Sequence, residues 1–263
     1  MFSPSHRGGS GSPLVLLHGF ADTWRVWELV LPALERRHAV LAPTLPGHAG
    51  GPPLPAELTG DTLADAVAQA MDDAGFHTAH LVGNSLGGYV ALQLAARGRA
   101  RSVVALAPAG GWGPGDPAIA ELLMFQAEMQ RQATAAAPHA DAIAATSEGR
   151  RRATGLTVVR FEHIPQELIA HQTVGVAACT GARRLIEYGI SADWALDQGL
   201  IDVPVRILWG TEDKLLPWPA SAARYRRGWL AQADWVELED VGHCPQLDVP
   251  VVTADLIVSF TDR

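Results

Sequence analysis

The pentapeptide Gly83-Asn84-Ser85-Leu86-Gly87 constrains the fold of this chain more than any other feature. A short strand-like run, residues 79–82, precedes it, and an apolar run with helix-forming residues follows it as far as Gly98. A turn this short between a strand and a helix leaves almost no room beside the central serine, and glycine removes the Cβ atoms that would clash. The pattern predicts a strained turn that holds the Ser85 hydroxyl outward, close to the N–H groups that begin the helix.

The pentapeptide alone does not establish a nucleophile. An ordinary glycine-rich turn could carry the same residues, and roughly 0.1 chance matches are expected in a chain of this composition. Three further segments favour the catalytic interpretation, because each supplies a group that a nucleophilic serine needs.

The first segment is an apolar strand, residues 14–17, that breaks at His18-Gly19-Phe20. This arrangement predicts that the backbone N–H of Phe20 is one donor of an oxyanion hole, and that the N–H of Leu86, which follows the nucleophile, is the second. Loss of one such donor typically lowers the rate by about 10²–10³. The imidazole of His18 itself is predicted to be structural, with its nitrogens bonded to the backbone.

The other two segments supply an acid and a base. A strand that ends at Gly210 is followed by Glu212 and Asp213, and Asp213 is our candidate for the carboxylate that orients a histidine. Glu212 is the competing candidate, which we expect to be solvated. His243 follows a short alternating strand and a glycine, and it is the candidate general base. The structural alternatives are a turn or cap role for Asp213 and a helix-start role for His243.

Five other histidines are predicted to be surface or cap residues: His38, His77, His139, His163 and His171. His80 is predicted to lie in a strand.

In chain order the three candidates are Ser85, Asp213 and His243, the order expected for the α/β-hydrolase arrangement. With the His-Gly-Phe, Gly-Asn-Ser-Leu-Gly-Gly, Gly-Thr-Glu-Asp and Gly-His segments, the chain resembles the α/β-hydrolase superfamily over nearly its whole length. The elbow is similar to that of small esterases and of carbon–carbon bond hydrolases. The resemblance implies that these three residues form a catalytic triad and that Phe20 and Leu86 form the oxyanion hole.

The chain departs from the family pattern in three places. Thr44 stands where relatives often carry aspartate, and the serine that usually ends this run is absent. Carbon–carbon hydrolases often carry a Gly-x-Gly-Pro-Gly oxyanion loop, whereas residues 19–23 here read Gly-Phe-Ala-Asp-Thr. The N-terminal part is short, so one or two strands of the usual eight are expected to be missing.

Alternating strand and helix patterns predict an α/β fold, a mostly parallel twisted sheet with helices on both faces. From about residue 112 to residue 193 the alternation stops and the sequence reads as helical. By the resemblance, residues 1–111 and 194–263 form the core, and 112–193 form a helical cap inserted between the sixth and seventh strands. Five residues are candidates for contact with substrate, although they could equally serve only to pack the cap on the core: Trp112, Met124, Phe125, Met129 and Phe161.

Composition excludes several other classes. The 263 residues carry a formal net charge of −8, which disfavours a nucleic-acid partner. Two cysteines imply no disulfide framework, and no histidine–carboxylate cluster has metal-ligand spacing, so we expect neither a metal nor a cofactor. We find no signal peptide and no run long enough to span a membrane, and expect a cytoplasmic protein whose partner is a small-molecule substrate. The sequence leaves the oligomeric state open.

The resulting hypothesis is a serine hydrolase that cleaves a small, rather apolar carboxylic ester, thioester or lactone through an acyl-enzyme. Two alternatives stay open at this point. One is hydrolysis of a carbon–carbon bond in a vinylogous diketone, and the other is a ligand-binding or lyase member of the same fold. Serine at the elbow argues against dehalogenases and epoxide hydrolases of similar fold, which carry aspartate there.

Overall fold

The protein is built around a seven-stranded sheet with strand order β1-β3-β2-β4-β5-β6-β7. The computed structural model describes residues 2–113 and 115–262. The predicted domain ranges also include Met1, Pro114 and Arg263, which lie outside the described residues. The strands are β1 (Ser5–Gly9), β2 (Ser12–Leu17), β3 (His38–Pro43), β4 (Ala79–Asn84), β5 (Ala100–Leu106), β6 (Val205–Gly210) and β7 (Asp234–Leu238). Strand β1 runs antiparallel to β3, and every other pairing is parallel. The predicted fold class, a mostly parallel α/β sheet, is confirmed.

The central strands are buried on both faces, which is why they read as continuous apolar runs rather than as alternating ones. Within β2, Leu14 and Leu16 join one core cluster, whereas Val15 and Leu17 join the other, because successive side chains point to opposite faces. Each cluster packs one face of the sheet against the helices that cover it.

Ten α-helices are assigned in the described part of the chain. They are α1 (Leu31–Leu34), α2 (Thr62–Asp73), α3 (Leu86–Ala96), α4 (Pro117–Ala136), α5 (Ala140–Ala144), α6 (Ser147–Thr154), α7 (Gln166–Ala177), α8 (Ala182–Ser191), α9 (Pro245–Asp248) and α10 (Pro250–Thr261). Short 3-10 turns cover Trp24–Trp27, Ala137–His139 and Gln198–Leu200, and a π-helical turn covers Tyr225–Trp229. No helix among the described residues is both long enough and apolar enough to cross a membrane.

Helices α4 to α8 form one uninterrupted helical insertion between β5 and β6. The sequence placed this segment between the sixth and seventh strands; the position differs by one because the sheet has seven strands instead of eight. The 20-residue helix α4 buries only Ile119 fully, so most of its side chains face solvent or the space between the insertion and the core.

The seven strands agree with the expectation that one or two of the usual eight are missing. The polar N-terminal segment forms the edge strand β1, which needs a partner on one side only, and Gly8 and Gly9 let it pack closely on Glu35. One local expectation was wrong. His38 is buried rather than exposed, and its Nε2 lies 2.9 Å from the Thr261 hydroxyl oxygen.

The junction of β4 and α3 has no space for side chains. A Cβ atom on Gly83 would lie 2.2 Å from the carbonyl oxygen of Gly87, and a Cβ on Gly87 would lie 2.2 Å from the carbonyl oxygen of Leu17 in β2. These neighbours are backbone atoms of helix α3 and strand β2, which cannot move away as a flexible side chain could. The two glycines thus allow α3 to start directly against the strands.

We expect Gly87→Ala to destabilise the protein by about 1–3 kcal/mol or more, because the added methyl group forces the central backbone apart. Gly228→Ala is the matched control, since a Cβ there meets nothing within 4 Å. Urea unfolding followed by circular dichroism measures both free energies of unfolding. Equal stability of the two variants would show that the junction adapts to a side chain.

Candidate active site

Ser85 occupies the strained turn that the sequence predicts. Its backbone has φ 54° and ψ −118°, a conformation that non-glycine residues rarely adopt. Hydrogen bonds from both sides hold it: the Ser85 N–H donates to the Leu106 carbonyl at 2.9 Å, and the Ser85 carbonyl accepts from the N–H groups of Tyr89 and Ala109 at 3.1 and 3.0 Å. Such strain persists only where the surroundings impose it, and it is typical of functional sites.

His243 and Asp213 form a buried pair. The imidazole Nδ1 lies 2.7 Å from Asp213 Oδ2, and the two side chains are 5% and 0% exposed. The other carboxylate oxygen accepts from the N–H groups of Leu215 and Leu216 at 2.9 and 2.8 Å, which fixes its orientation. A carboxylate can only accept, so Nδ1 carries the proton, and in the neutral imidazole Nε2 is free to take another.

Ser85 and His243 line one cavity between the core and the helical insertion. No hydrogen bond joins their side chains among the described residues. Catalytic hydrogen bonds are often long without substrate and shorten in the reacting complex, so this geometry is compatible with proton transfer.

A buried histidine orients the loop after β2. His18 Nε2 accepts from the Leu45 N–H at 2.9 Å, which leaves Nδ1 protonated to donate to the Gly19 carbonyl at 2.7 Å. Burial, reinforced by the nearby His48, holds the pKa of His18 well below its usual value, so the ring stays neutral and keeps its acceptor. The prediction that His18 acts through backbone hydrogen bonds agrees with this placement.

The same contacts leave one N–H group unused. Because the Gly19 carbonyl points to His18, the N–H of Phe20 across the trans peptide points the opposite way, and it donates to no described residue. Gly19 adjoins the serine, since a Cβ on it would lie 3.4 Å from Ser85 Cβ. The N–H of Leu86 is at the first position of α3, where a helix offers no internal acceptor. Both predicted oxyanion donors are therefore next to Ser85 and free of intrahelical partners.

Asn84 joins the serine turn to the histidine loop, a contact that the sequence analysis missed. Its Nδ2 donates to the carbonyls of Leu106 and His243 at 3.1 and 2.9 Å. Its Oδ1 accepts from Gln246 Nε2 at 3.1 Å and from the Cys244 thiol at 3.3 Å. A polar residue beside the elbow serine was the available signal, but its partners lie about 160 positions away in the chain.

Asp248 joins the histidine loop to the helical insertion, and the sequence analysis missed this residue too. One oxygen accepts from the N–H groups of Gly242 and Val159 at 2.7 and 2.9 Å, and the other accepts from the Arg160 N–H at 2.7 Å. The Cys244 N–H also donates to the Thr157 carbonyl at 2.8 Å. The loop that carries His243 is therefore positioned by the insertion as well as by the core.

Two cavities meet at Ser85. The larger has a volume of about 660 Å³ and is lined by His243, Asp22 and polar side chains of the insertion. The smaller, about 100 Å³, is lined mainly by apolar and aromatic side chains, among them Trp194. Phe20, Ser85 and Gln126 line both.

The five predicted substrate contacts are divided by the structure. Trp112 lines the smaller cavity and Met129 lines the larger one. Met124 and Phe125 are 61% and 39% exposed and line neither, because the helical period turns them away from the face of α4 that carries Gln126 and Met129. Phe161 is buried in a core cluster instead of facing a cavity. The expectation of substrate contact is therefore corrected for these last three residues.

We expect Asp248→Asn to lower the free energy of unfolding by about 1–3 kcal/mol. In wild type both carboxylate oxygens accept from backbone N–H groups, whereas in the variant an NH₂ group would replace one of these oxygens and could not accept. Asp255→Asn, an exposed substitution in the neighbouring helix α10, is the control and should be nearly neutral. Thermal and denaturant unfolding measure both, and equal stability of the two variants would contradict a clamping role for Asp248.

Comparison with known proteins agrees with the architecture. The profile of the alpha/beta hydrolase family matches residues 14–256. The epoxide hydrolase EphH of Mycobacterium tuberculosis is 29% identical over 211 residues, covering 76% of this chain and 94% of that protein. A 2-hydroxymuconate semialdehyde hydrolase of a Pseudomonas species is 36% identical over 111 residues, covering 40% of this chain and 39% of that protein.

Among solved structures, the enol-lactonase of Burkholderia xenovorans LB400 superposes with a TM-score of 0.73 at 22% identity, covering 98% of this chain and 96% of that one. A likeness at this identity concerns the fold. Because the family profile spans most of the sequence and the sheet has the corresponding topology, this protein belongs to the alpha/beta hydrolase family.

Proposed function

We propose that the protein is a serine hydrolase that cleaves a small carboxylic ester, thioester or lactone through an acyl-enzyme. The observation that carries the proposal is the buried Asp213–His243 pair, whose histidine lines the same cavity as the strained Ser85. A histidine with protonated Nδ1 and free Nε2 is the group that a serine hydroxyl needs in order to attack a carbonyl carbon.

In the first half of the proposed reaction, Ser85 Oγ bonds to the carbonyl carbon while its proton passes to His243 Nε2. The carbonyl oxygen becomes an oxyanion that accepts from the N–H groups of Phe20 and Leu86. The tetrahedral adduct then collapses: the bond to the leaving oxygen or sulfur breaks, and that atom takes the proton from His243. The product is an ester of Ser85.

In the second half, water attacks the ester carbon and gives its proton to His243. The oxyanion forms again on the same two N–H groups. The bond to Ser85 Oγ breaks, Oγ recovers the proton, and the carboxylic acid leaves. Asp213 stays ionised throughout and stabilises the imidazolium that forms twice in each cycle.

The identity of residue 85 distinguishes this chemistry from epoxide opening, although one relative is named as an epoxide hydrolase. A carboxylate nucleophile opens an epoxide to give an ester, which water can hydrolyse. A serine nucleophile would give an ether, which the same water cannot cleave. Ser85 therefore suits acyl substrates, whose covalent intermediate is an ester from the start.

Hydrolysis of a carbon–carbon bond is a second candidate, supported by the partial similarity to the semialdehyde hydrolase. The leaving atom would then be a carbon that takes a proton. The loop of residues 19–23 differs from the Gly-x-Gly-Pro-Gly pattern of such enzymes, so ester cleavage is preferred. Activity on a vinylogous diketone, with none on simple esters, would reverse this preference.

We expect a small fluorophosphonate to label the protein covalently at Ser85, and Ser85→Ala to abolish the labelling. Ester hydrolysis should fall on the order of 10⁶-fold in this variant and in His243→Ala, and little further in the double variant, because the two residues act as one unit. Ser10→Ala, in the exposed turn between β1 and β2, is the control and should behave as wild type. Absence of labelling in well-folded protein would favour a ligand-binding role instead.

We expect Asp213→Asn to lower kcat on the order of 10⁴-fold, because the amide no longer holds the imidazole in its required tautomer. Glu212→Gln is the matched control: this neighbouring side chain is exposed and was the competing candidate in the sequence. Both are measured by steady-state kinetics on the same ester. A larger loss in Glu212→Gln than in Asp213→Asn would overturn the assignment of the acid.

A further inference from the structure

The two cavities at Ser85 have different access to the general acid. His243 lines the larger cavity, whereas Leu86 and the aromatic side chains of Tyr89 and Trp194 line the smaller one. In the proposed reaction the leaving oxygen must take its proton from His243. The alcohol portion of the substrate therefore belongs in the larger cavity, and the acyl portion belongs in the smaller.

The smaller cavity suits an apolar acyl group. Trp194 packs against both Tyr89 and Trp112, with ring centroids 5.1 Å apart in each case. Leu63 and Leu122 complete this apolar wall. The cavity's volume of about 100 Å³, against about 660 Å³ for the larger cavity, favours a small acyl group.

The larger cavity contains a carboxylate, Asp22, that the proposed mechanism does not use. Its Oδ1 accepts from the Thr23 N–H at 2.7 Å, and its Oδ2 accepts from Gln172 Nε2 of helix α7 at 3.2 Å. Two carboxylate oxygens offer about four lone pairs, so these two donors leave acceptor capacity unused.

Asp22 lines the cavity in which the leaving group would sit, together with His243 and Cys244. Its N–H donates to the Gly19 carbonyl at 3.4 Å, and a Cβ on Gly19 would lie 3.4 Å from Ser85 Cβ, so the loop that carries Asp22 adjoins the serine. No described arginine, lysine or histidine forms an ion pair with Asp22. Arg152, which also lines the cavity, is bonded to Glu148 instead.

Burial raises the pKa of Asp22 to about 6, so the carboxylate is mainly ionised at neutral pH. Asp22 is half-buried and has no ion-pair partner among the described residues, so its carboxylate gains from a ligand that donates a hydrogen bond. A substrate bound in the larger cavity could bring such a donor to Asp22 in place of water.

We propose that Asp22 is a specificity-determining residue that binds a hydrogen-bond donor, a hydroxyl or a protonated amine, on the leaving group of the substrate. This inference rests on the proposed serine hydrolase function and refines it. The preferred substrate has a small apolar acyl group and an alcohol portion that carries a donor. A structural role for Asp22, holding the loop through Thr23 and Gln172, would affect all esters alike.

The test uses two matched pairs of esters of one small acid. The 2-hydroxyethyl ester is compared with the propyl ester, and the 2-(dimethylamino)ethyl ester with the 3-methylbutyl ester, so that each pair differs mainly by the donor. The ratio of kcat/KM within each pair is divided by the ratio for hydroxide-catalysed hydrolysis, which removes the difference in intrinsic reactivity. Wild type, Asp22→Asn and the exposed control Asp141→Asn are measured in parallel.

We expect wild type and Asp141→Asn to prefer the donor-bearing ester by on the order of 10-fold in at least one pair. Asp22→Asn should bring that ratio close to 1. The pair that shows the preference identifies the donor as a hydroxyl, an ammonium or both.

If the corrected ratio were close to 1 in wild type for both pairs, the inference would be overturned, even if Asp22→Asn failed to fold. A preference for the donor-bearing ester that survives in Asp22→Asn would overturn it as well. Both outcomes leave ester hydrolysis intact and are thus distinct from failure of the proposed function. If none of the four esters were hydrolysed and Ser85 were not labelled by the fluorophosphonate, the function itself would be wrong and the inference with it.

Discussion

The close backbone contact among β2, β4 and α3 is the constraint on which the rest of the structure depends. Gly83 and Gly87 allow helix α3 to begin against the central strands, with carbonyl oxygens where side chains would otherwise stand. The same contact forces Ser85 into a positive φ and exposes the first N–H groups of α3 beside its hydroxyl. One geometric feature therefore positions both the proposed nucleophile and one proposed oxyanion donor, and no substitution with a side chain fits there.

The reacting groups come from loops far apart in sequence, and buried polar residues hold these loops together. Asn84 bonds the serine turn to the carbonyl of His243, and Asp248 bonds the histidine loop to Val159 and Arg160 of the helical insertion. Both residues are buried and make several hydrogen bonds to backbone groups, which makes them costly to displace. The insertion thus contributes to the position of His243, the proposed base, as well as to the walls of the cavity.

The residues with local signals could be predicted from the sequence, and those defined by tertiary contacts could not. Gly83, Gly210 and Gly242 lie at or shortly after the carboxyl ends of β4, β6 and β7, and they mark the surroundings of the three candidate residues. Parallel strands bring these carboxyl ends to one edge of the sheet. Asn84 and Asp248 carry no such signal, since their partners are distant in the chain. Met124 and Phe125 were misplaced because apolar character alone does not tell which face of a long, mostly exposed helix meets the cavity.

The loop that follows β2 contains a neutral imidazole, that of His18, and an ionised carboxylate, that of Asp22. His18 must be neutral, because only the neutral ring can accept from Leu45 while donating to Gly19, and this pair of bonds turns the Gly19 carbonyl toward His18 and the Phe20 N–H away from it. Burial favours that state by lowering the pKa of the imidazole. Four residues later, burial raises the pKa of Asp22 to about 6. Because this value is below neutral pH, the carboxylate is still mainly ionised there. Asp22 forms no ion pair among the described residues, so its carboxylate can accept a hydrogen bond from a donor that arrives with the substrate.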